Sequence, residues 1–111
     1  MKKIFTNLIN SINGLKTTLK ENSFIIEIAG GFILIPYLII AELDNFFKLI
    51  ILIAYFLILA FELINTAIEK LSDKITKDLD SDIKKIKDIS SASVFIILLL
   101  LITLFILAHY L

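Results

Sequence analysis

Glu62, Asn65, Glu69 and Asp73 follow one another at intervals of three, four and four residues. At 100° per residue those intervals return to nearly the same face of a helix. Two glutamates, an amide and an aspartate therefore line one stripe. Such a row suits general-base work and the binding of a hard cation together with phosphate oxygens. Its setting is unusual, because residues 49–61 immediately before Glu62 are apolar apart from the hydroxyl of Tyr55. That run makes about 20 Å of helix, which puts Glu62 about two-thirds of the way across a ~30 Å hydrocarbon core. An acid at mid-membrane costs about 2.5–3.5 kcal/mol on insertion scales, less near the interface. Inter-helix hydrogen bonds that fix an oligomer's register are the plainer use for such groups. Two carboxylates on one face with an amide between them favour chemistry.

A second group of reactive types lies further on. Lys87, Asp88 and Ser91 fall within about one helical turn, just before the last apolar block, and Glu21 stands just before the first. Taken alone, a charged flank on a membrane span is usually solvated. Taken with the stripe, acids, a lysine and a serine meet at one membrane depth. Carboxylate oxygens suit magnesium, and an ammonium suits phosphate oxygens. The chain has no GxxxxGK[ST] loop and no protein-kinase signature, so a nucleotide site here must be built in another way.

The elements that must hold these groups read clearly. Of 111 residues 59% are hydrophobic, and mean hydropathy is +0.95. That is more apolar than water alone solvates in an ordinary domain. One small all-α membrane domain spanning 1–111 is expected. Three apolar blocks predict transmembrane helices over residues 24–43, 46–67 (with a cytoplasmic extension to about 77) and 92–111 (preceded by a cytoplasmic helix from about 82). The short link "ELDN" makes the first two an antiparallel hairpin, and Gly30-Gly31 and Pro36 mark a kink or a close helix contact. In "DLDSD", Asp80 or Ser81 caps the helix that follows. Residues 1–22 lack the continuous apolar run of a signal peptide. Their apolar residues recur every three or four positions, from Ile4 and Phe5 through Leu8 and Ile12 to Leu15 and Leu19. This is the pattern of an amphipathic helix lying on the membrane surface, as an anchor or as a wall over an interfacial site.

Lysine sets the expected orientation. Lys2, Lys3, Lys16 and Lys20 precede the first span, Lys70, Lys74, Lys77, Lys84, Lys85 and Lys87 lie between the second and third, and only Lys48 falls on the other side. The positive-inside rule then makes the amino terminus and the 70–90 region cytoplasmic and the carboxyl terminus opposite. His109-Tyr110 becomes an interfacial anchor. Cysteine is absent, which excludes disulfides and thiolate chemistry, and one histidine cannot make a histidine cluster. Eleven lysines balance eleven acids, so nucleic acid is not an expected partner.

The stretch "FELINTAIEKLSDKI" at 61–75, followed eighteen residues after Glu69 by "KDISSASV" at 87–94, resembles the small prokaryotic integral-membrane diacylglycerol kinase family. Its hallmark is E-[LI]-[LIV]-N-[ST]-A-[IV]-E-x-x-x-D, then a cytoplasmic loop and K-D-x-[GAS]-[SA]-[AG]-[AS]-V. The resemblance covers nearly the whole chain. It implies a homotrimeric lipid kinase of the bacterial cytoplasmic (inner) membrane that moves the γ-phosphoryl group of ATP to a lipid hydroxyl, with Mg2+ as cofactor. Carried over by motif position, Glu62 is the general base and Asn65 supports the site. Glu69 and Glu21 hold the metal and, with Lys87 and Asp88, the nucleotide; Ser91 lies near the lipid head. Diacylglycerol is the expected acceptor, and undecaprenol, a long polyprenol, is the alternative within the family. From a different class, a small oligomeric pore or interaction subunit would also carry acids in its spans.

Overall fold

The structure, a computed structural model, describes residues 1–111. It is all-helical, with α1 at Lys2–Thr18, α2 at Asn22–Ile40, α3 at Asn45–Ile75 and α4 at Ser81–Tyr110. Three of these, α2, α3 and α4, are long and apolar enough to cross a membrane. Helices are the form an open chain takes in lipid, because each satisfies its own backbone groups there.

Local chemistry sets the ends. Asp44 starts α3 by accepting a hydrogen bond from the Phe46 amide at 2.8 Å. Asp80, one of the two candidate caps, starts α4 by accepting from the Asp82 and Ile83 amides at 2.9 and 3.0 Å. Each aspartate supplies an acceptor for helix N–H groups that have no partner within the helix. The α3–α4 turn is tightened by Thr76, whose hydroxyl accepts from the Asp78 amide at 3.0 Å. Pro36 lies one turn from the end of α2 and does not stop it.

At 31 and 30 residues, α3 and α4 are each about 45 Å long, more than a hydrocarbon core requires. They pair as an antiparallel hairpin and overshoot it at the end where they turn. The surplus carries the charged residues, and α1 lies against α3 near that end. At the opposite end, Leu38, Ile51 and Ala108 form a small core from α2, α3 and α4. There the Tyr37 hydroxyl hydrogen-bonds His109, whose ring stacks on the phenol.

Only 14 of 111 residues are buried within the chain, far too few for a fold of this composition to close on itself in water. The outward faces of α2 and α4 are apolar, with Phe32, Ile33, Ile39, Ile96 and Leu99 all exposed. They need lipid or another protein surface. Along α1, the exposed side of Ile4, Phe5, Leu8 and Ile12 repeats the amphipathic pattern.

Candidate functional site

Glu62 is 5% exposed and Asn65 6% exposed, both on the face of α3 turned into the bundle. The Ser23 hydroxyl of α2 donates to Glu62 Oε1 at 2.8 Å, which fixes the carboxylate from the side. The Glu27 carboxyl, one turn further along α2, lies beside that of Glu62, close enough for the two charges to couple. Its Oε2 is buried without a hydrogen-bond partner. Two carboxyls side by side in an apolar helix pair have no packing value. Buried charges are costly and are retained where they are used.

Moving toward the turn end of α3, polarity rises. The Asn65 Nδ2 donates to Glu69 Oε1 at 3.2 Å, while Asn65 Oδ1 is buried and unpartnered. Glu69 itself is exposed. Glu21, at the start of α2, pairs with Lys70 at 3.0 Å, the residue next to Glu69 in sequence. Glu69 stands about two turns along α3 from Glu62, and Glu21 lies two residues before Ser23, the hydrogen-bond partner of Glu62. Nowhere do three acidic or imidazole side chains gather in a cage for a metal ion. Glu21 and Glu69 nevertheless fit magnesium, which is typically held by one or two carboxylates and completed by phosphate oxygens and water.

The α4 candidates are arranged differently from their order in sequence. Lys87 donates across the hairpin to Asp73 Oδ1 at 2.5 Å, rather than pairing with its neighbour Asp88. Asp88 accepts from Lys84 at 2.7 Å, an i,i+4 pair on the outer side of α4. Ser91 is exposed, while the adjacent Ser90 is buried with its hydroxyl unpartnered. Within one chain, then, Glu62, Asn65 and Glu69 share one face of α3, with Asn65 bonded to Glu69 and Glu21 tied to the neighbouring Lys70. Lys87 joins its edge through Asp73, and Asp88 and Ser91 stand outside it.

Two cavities flank this face. One of about 430 Å³ lies in the α3–α4 turn and is walled by Lys77, Lys84 and Lys87 together with Asp78 and Asp80. Its ammonium groups can hold phosphate oxygens. The other, of about 530 Å³, separates α1 from α3 and is lined by Gly14, Thr17, Thr18, Leu63, Thr66 and Lys70. Its lining mixes apolar groups with hydroxyls and the Lys70 ammonium, so it can take a molecule that has both apolar and hydrophilic parts.

Sequence reasoning passed over Ser23 and Glu27. The acid of Glu27 inside an apolar block was a legible signal. Ser23 gave no signal, since a serine at the head of a helix is commonplace. Lys77 and Lys84 read as ordinary flanking charges, and only the folded turn shows them sharing a cavity with Lys87.

A family model described as prokaryotic diacylglycerol kinase matches residues 9–108. The match spans most of α1, all of α2 and α3, and α4 almost to its end. No curated protein is similar enough to count as a relative.

Proposed function

Because the chain belongs to the prokaryotic diacylglycerol kinase family, we propose that it is an ATP-dependent lipid kinase that phosphorylates the free hydroxyl of diacylglycerol to give phosphatidic acid. The observation that carries this reading is the Glu62 carboxylate. It is buried in an apolar segment, held by Ser23, and followed two turns on by exposed acids and lysines. A base for a lipid hydroxyl belongs below the membrane surface, and the groups for a triphosphate belong nearer water.

In this mechanism the hydroxyl oxygen of the lipid attacks the γ-phosphorus of ATP while its proton passes to the Glu62 carboxylate. The bond from the γ-phosphorus to the β-bridging oxygen breaks, and ADP leaves with the electron pair. Phosphoryl transfer of this kind depends on positioning and charge neutralisation more than on covalent help from the protein. Ser23 orients the base, and Asn65 holds the Glu69 carboxylate. Glu69 and Glu21 would hold Mg2+, which when bound offsets negative charge on the phosphate oxygens. Lys87 and Asp88 contribute to the nucleotide site and Ser91 to the lipid head.

The active form is a homotrimer in the cytoplasmic membrane, with the turn end of α3 and α4 inside the cell, by the lysine asymmetry. One chain leaves Asp88 and Ser91 exposed, with no contact to Glu62, and the apolar stretch of α4 is barely covered. A neighbouring subunit supplies both the missing wall and the missing contacts. Mixing Glu62→Gln chains with Asp88→Asn chains then restores part of the activity; full activity in a demonstrated monomer refutes the sharing.

The deciding experiment offers diacylglycerol and undecaprenol separately, in mixed micelles with ATP and magnesium, to the purified protein. Faster phosphorylation of diacylglycerol supports the proposal. Preference for undecaprenol moves the substrate within the family, and no ATP consumption with either lipid returns the chain to a pore or interaction role.

A further inference from the structure

Tyr55 lies seven residues before Glu62, two turns deeper on the same face of α3. It is 7% exposed, so it is neither an interfacial anchor nor a lipid-facing aromatic. Its hydroxyl crosses to α2 and donates to the backbone carbonyl of Glu27 at 3.1 Å. A helix carbonyl has a second lone pair free for such a bond. The phenol reaches it through a notch at Gly31. A Cβ built on Gly31 would stand 2.0 Å from the Tyr55 hydroxyl oxygen and 2.4 Å from the ring carbon that bears it, whereas one on Gly30 would meet nothing within 4 Å. Of the glycine pair, only Gly31 is required, and what requires it is this phenol.

The contact has a consequence for Glu62. Besides the Glu21–Lys70 ion pair at its start, α2 is joined to α3 by side-chain hydrogen bonds from Ser23 to Glu62 and from Tyr55 to the Glu27 carbonyl. On α3 the two hydrogen bonds are seven residues apart, about 10 Å along the axis, and on α2 they fall four residues apart, at Ser23 and at Glu27. The side chains of Glu27 and Glu62 repel when both are charged, and these bonds, together with the buried apolar side chains of Phe24, Ala54 and Ile58, oppose the separation of α2 from α3 at that level. We propose that Tyr55, seated in the Gly31 notch and bonded to the Glu27 carbonyl, is a positioning residue that holds Glu27 beside the Glu62 carboxylate. The role rests on the lipid-kinase reading above. It also accounts for a hydroxyl and a glycine at the middle of the membrane, where a leucine against an alanine would pack with less polar surface.

The test uses full-length protein and three changes. Tyr55→Phe keeps the ring in its notch and removes only the hydroxyl. Because a small displacement of reacting groups is expensive, turnover should fall about three- to thirty-fold, with the KM for ATP unchanged and assembly intact. The spectroscopic signature is the backbone carbonyl ¹³C shift of Glu27, which should move when the phenol no longer donates to it. Gly31→Ala should lower turnover as well, although alanine is the better helix former. In a Tyr55→Leu background, with no phenol to displace, the same Gly31→Ala change should cost nothing further. Wild-type turnover in Tyr55→Phe, an unmoved Glu27 carbonyl, or an equal Gly31→Ala loss in both backgrounds overturns the proposal. A wild-type protein inert toward both lipids ends the kinase reading and Tyr55's place in it; an active wild type whose Glu27 carbonyl ignores Tyr55→Phe ends the clamp alone.

Discussion

Replacing Glu62 by glutamine tests its proposed role as proton acceptor. The glutamine side chain has nearly the same length, and its Oε1 can still accept the 2.8 Å hydrogen bond from Ser23. What disappears is the capacity to take a proton, at a buried carboxyl held by Ser23. Removal of a general base typically costs about 10²–10⁴-fold in rate, which is about 3–5.5 kcal/mol of barrier at 1.36 kcal/mol per tenfold. Folding should not suffer, since a buried charge is exchanged for a neutral amide of the same shape; thermal stability should hold or rise. The assay is steady-state phosphorylation of diacylglycerol in mixed micelles, with nucleotide KM, oligomer size and melting temperature measured on the same preparation. Turnover should collapse while nucleotide KM stays within about twofold, because the loss is confined to the transition state. Near-normal turnover refutes the assignment of Glu62 as base. An inactive variant that fails to assemble hands the residue to structure instead.

Glu69→Gln should act differently, raising the magnesium concentration needed for half-maximal rate and weakening nucleotide binding; an unchanged magnesium dependence removes Glu69 from the metal site. Lys87→Ala breaks its ion pair with Asp73, both side chains of which are substantially exposed, so the melting temperature should barely move. Its nucleotide KM should nonetheless rise about tenfold or more, reflecting a lost charge-assisted bond to phosphate. A large stability loss with normal KM makes Lys87 a structural clasp. For orientation, a cysteine at Ser81 should resist an impermeant thiol reagent applied to intact cells and react once they are opened. Labelling from outside reverses the topology.

Much of this architecture was local information. The apolar blocks are long enough to span a membrane, and their period sets which residues share a face. The stripe of Glu62, Asn65, Glu69 and Asp73 is a property of helical repeat alone. The aspartate ahead of each of the two longest helices is equally local, because a cap bonds to amides two or three residues away.

Everything that crosses between helices required the fold. Lys87 pairs with Asp73 and leaves Asp88 to Lys84, because the register of the α3–α4 hairpin decides which side chains meet. Ser23 meets Glu62 and Tyr55 meets the Glu27 carbonyl through the antiparallel packing of α2 on α3. Nothing in their spacing along the chain announces it. Helical periodicity says toward which side a residue points; only the packed neighbour, placed by close-range shape such as the missing Cβ of Gly31, says what it points at.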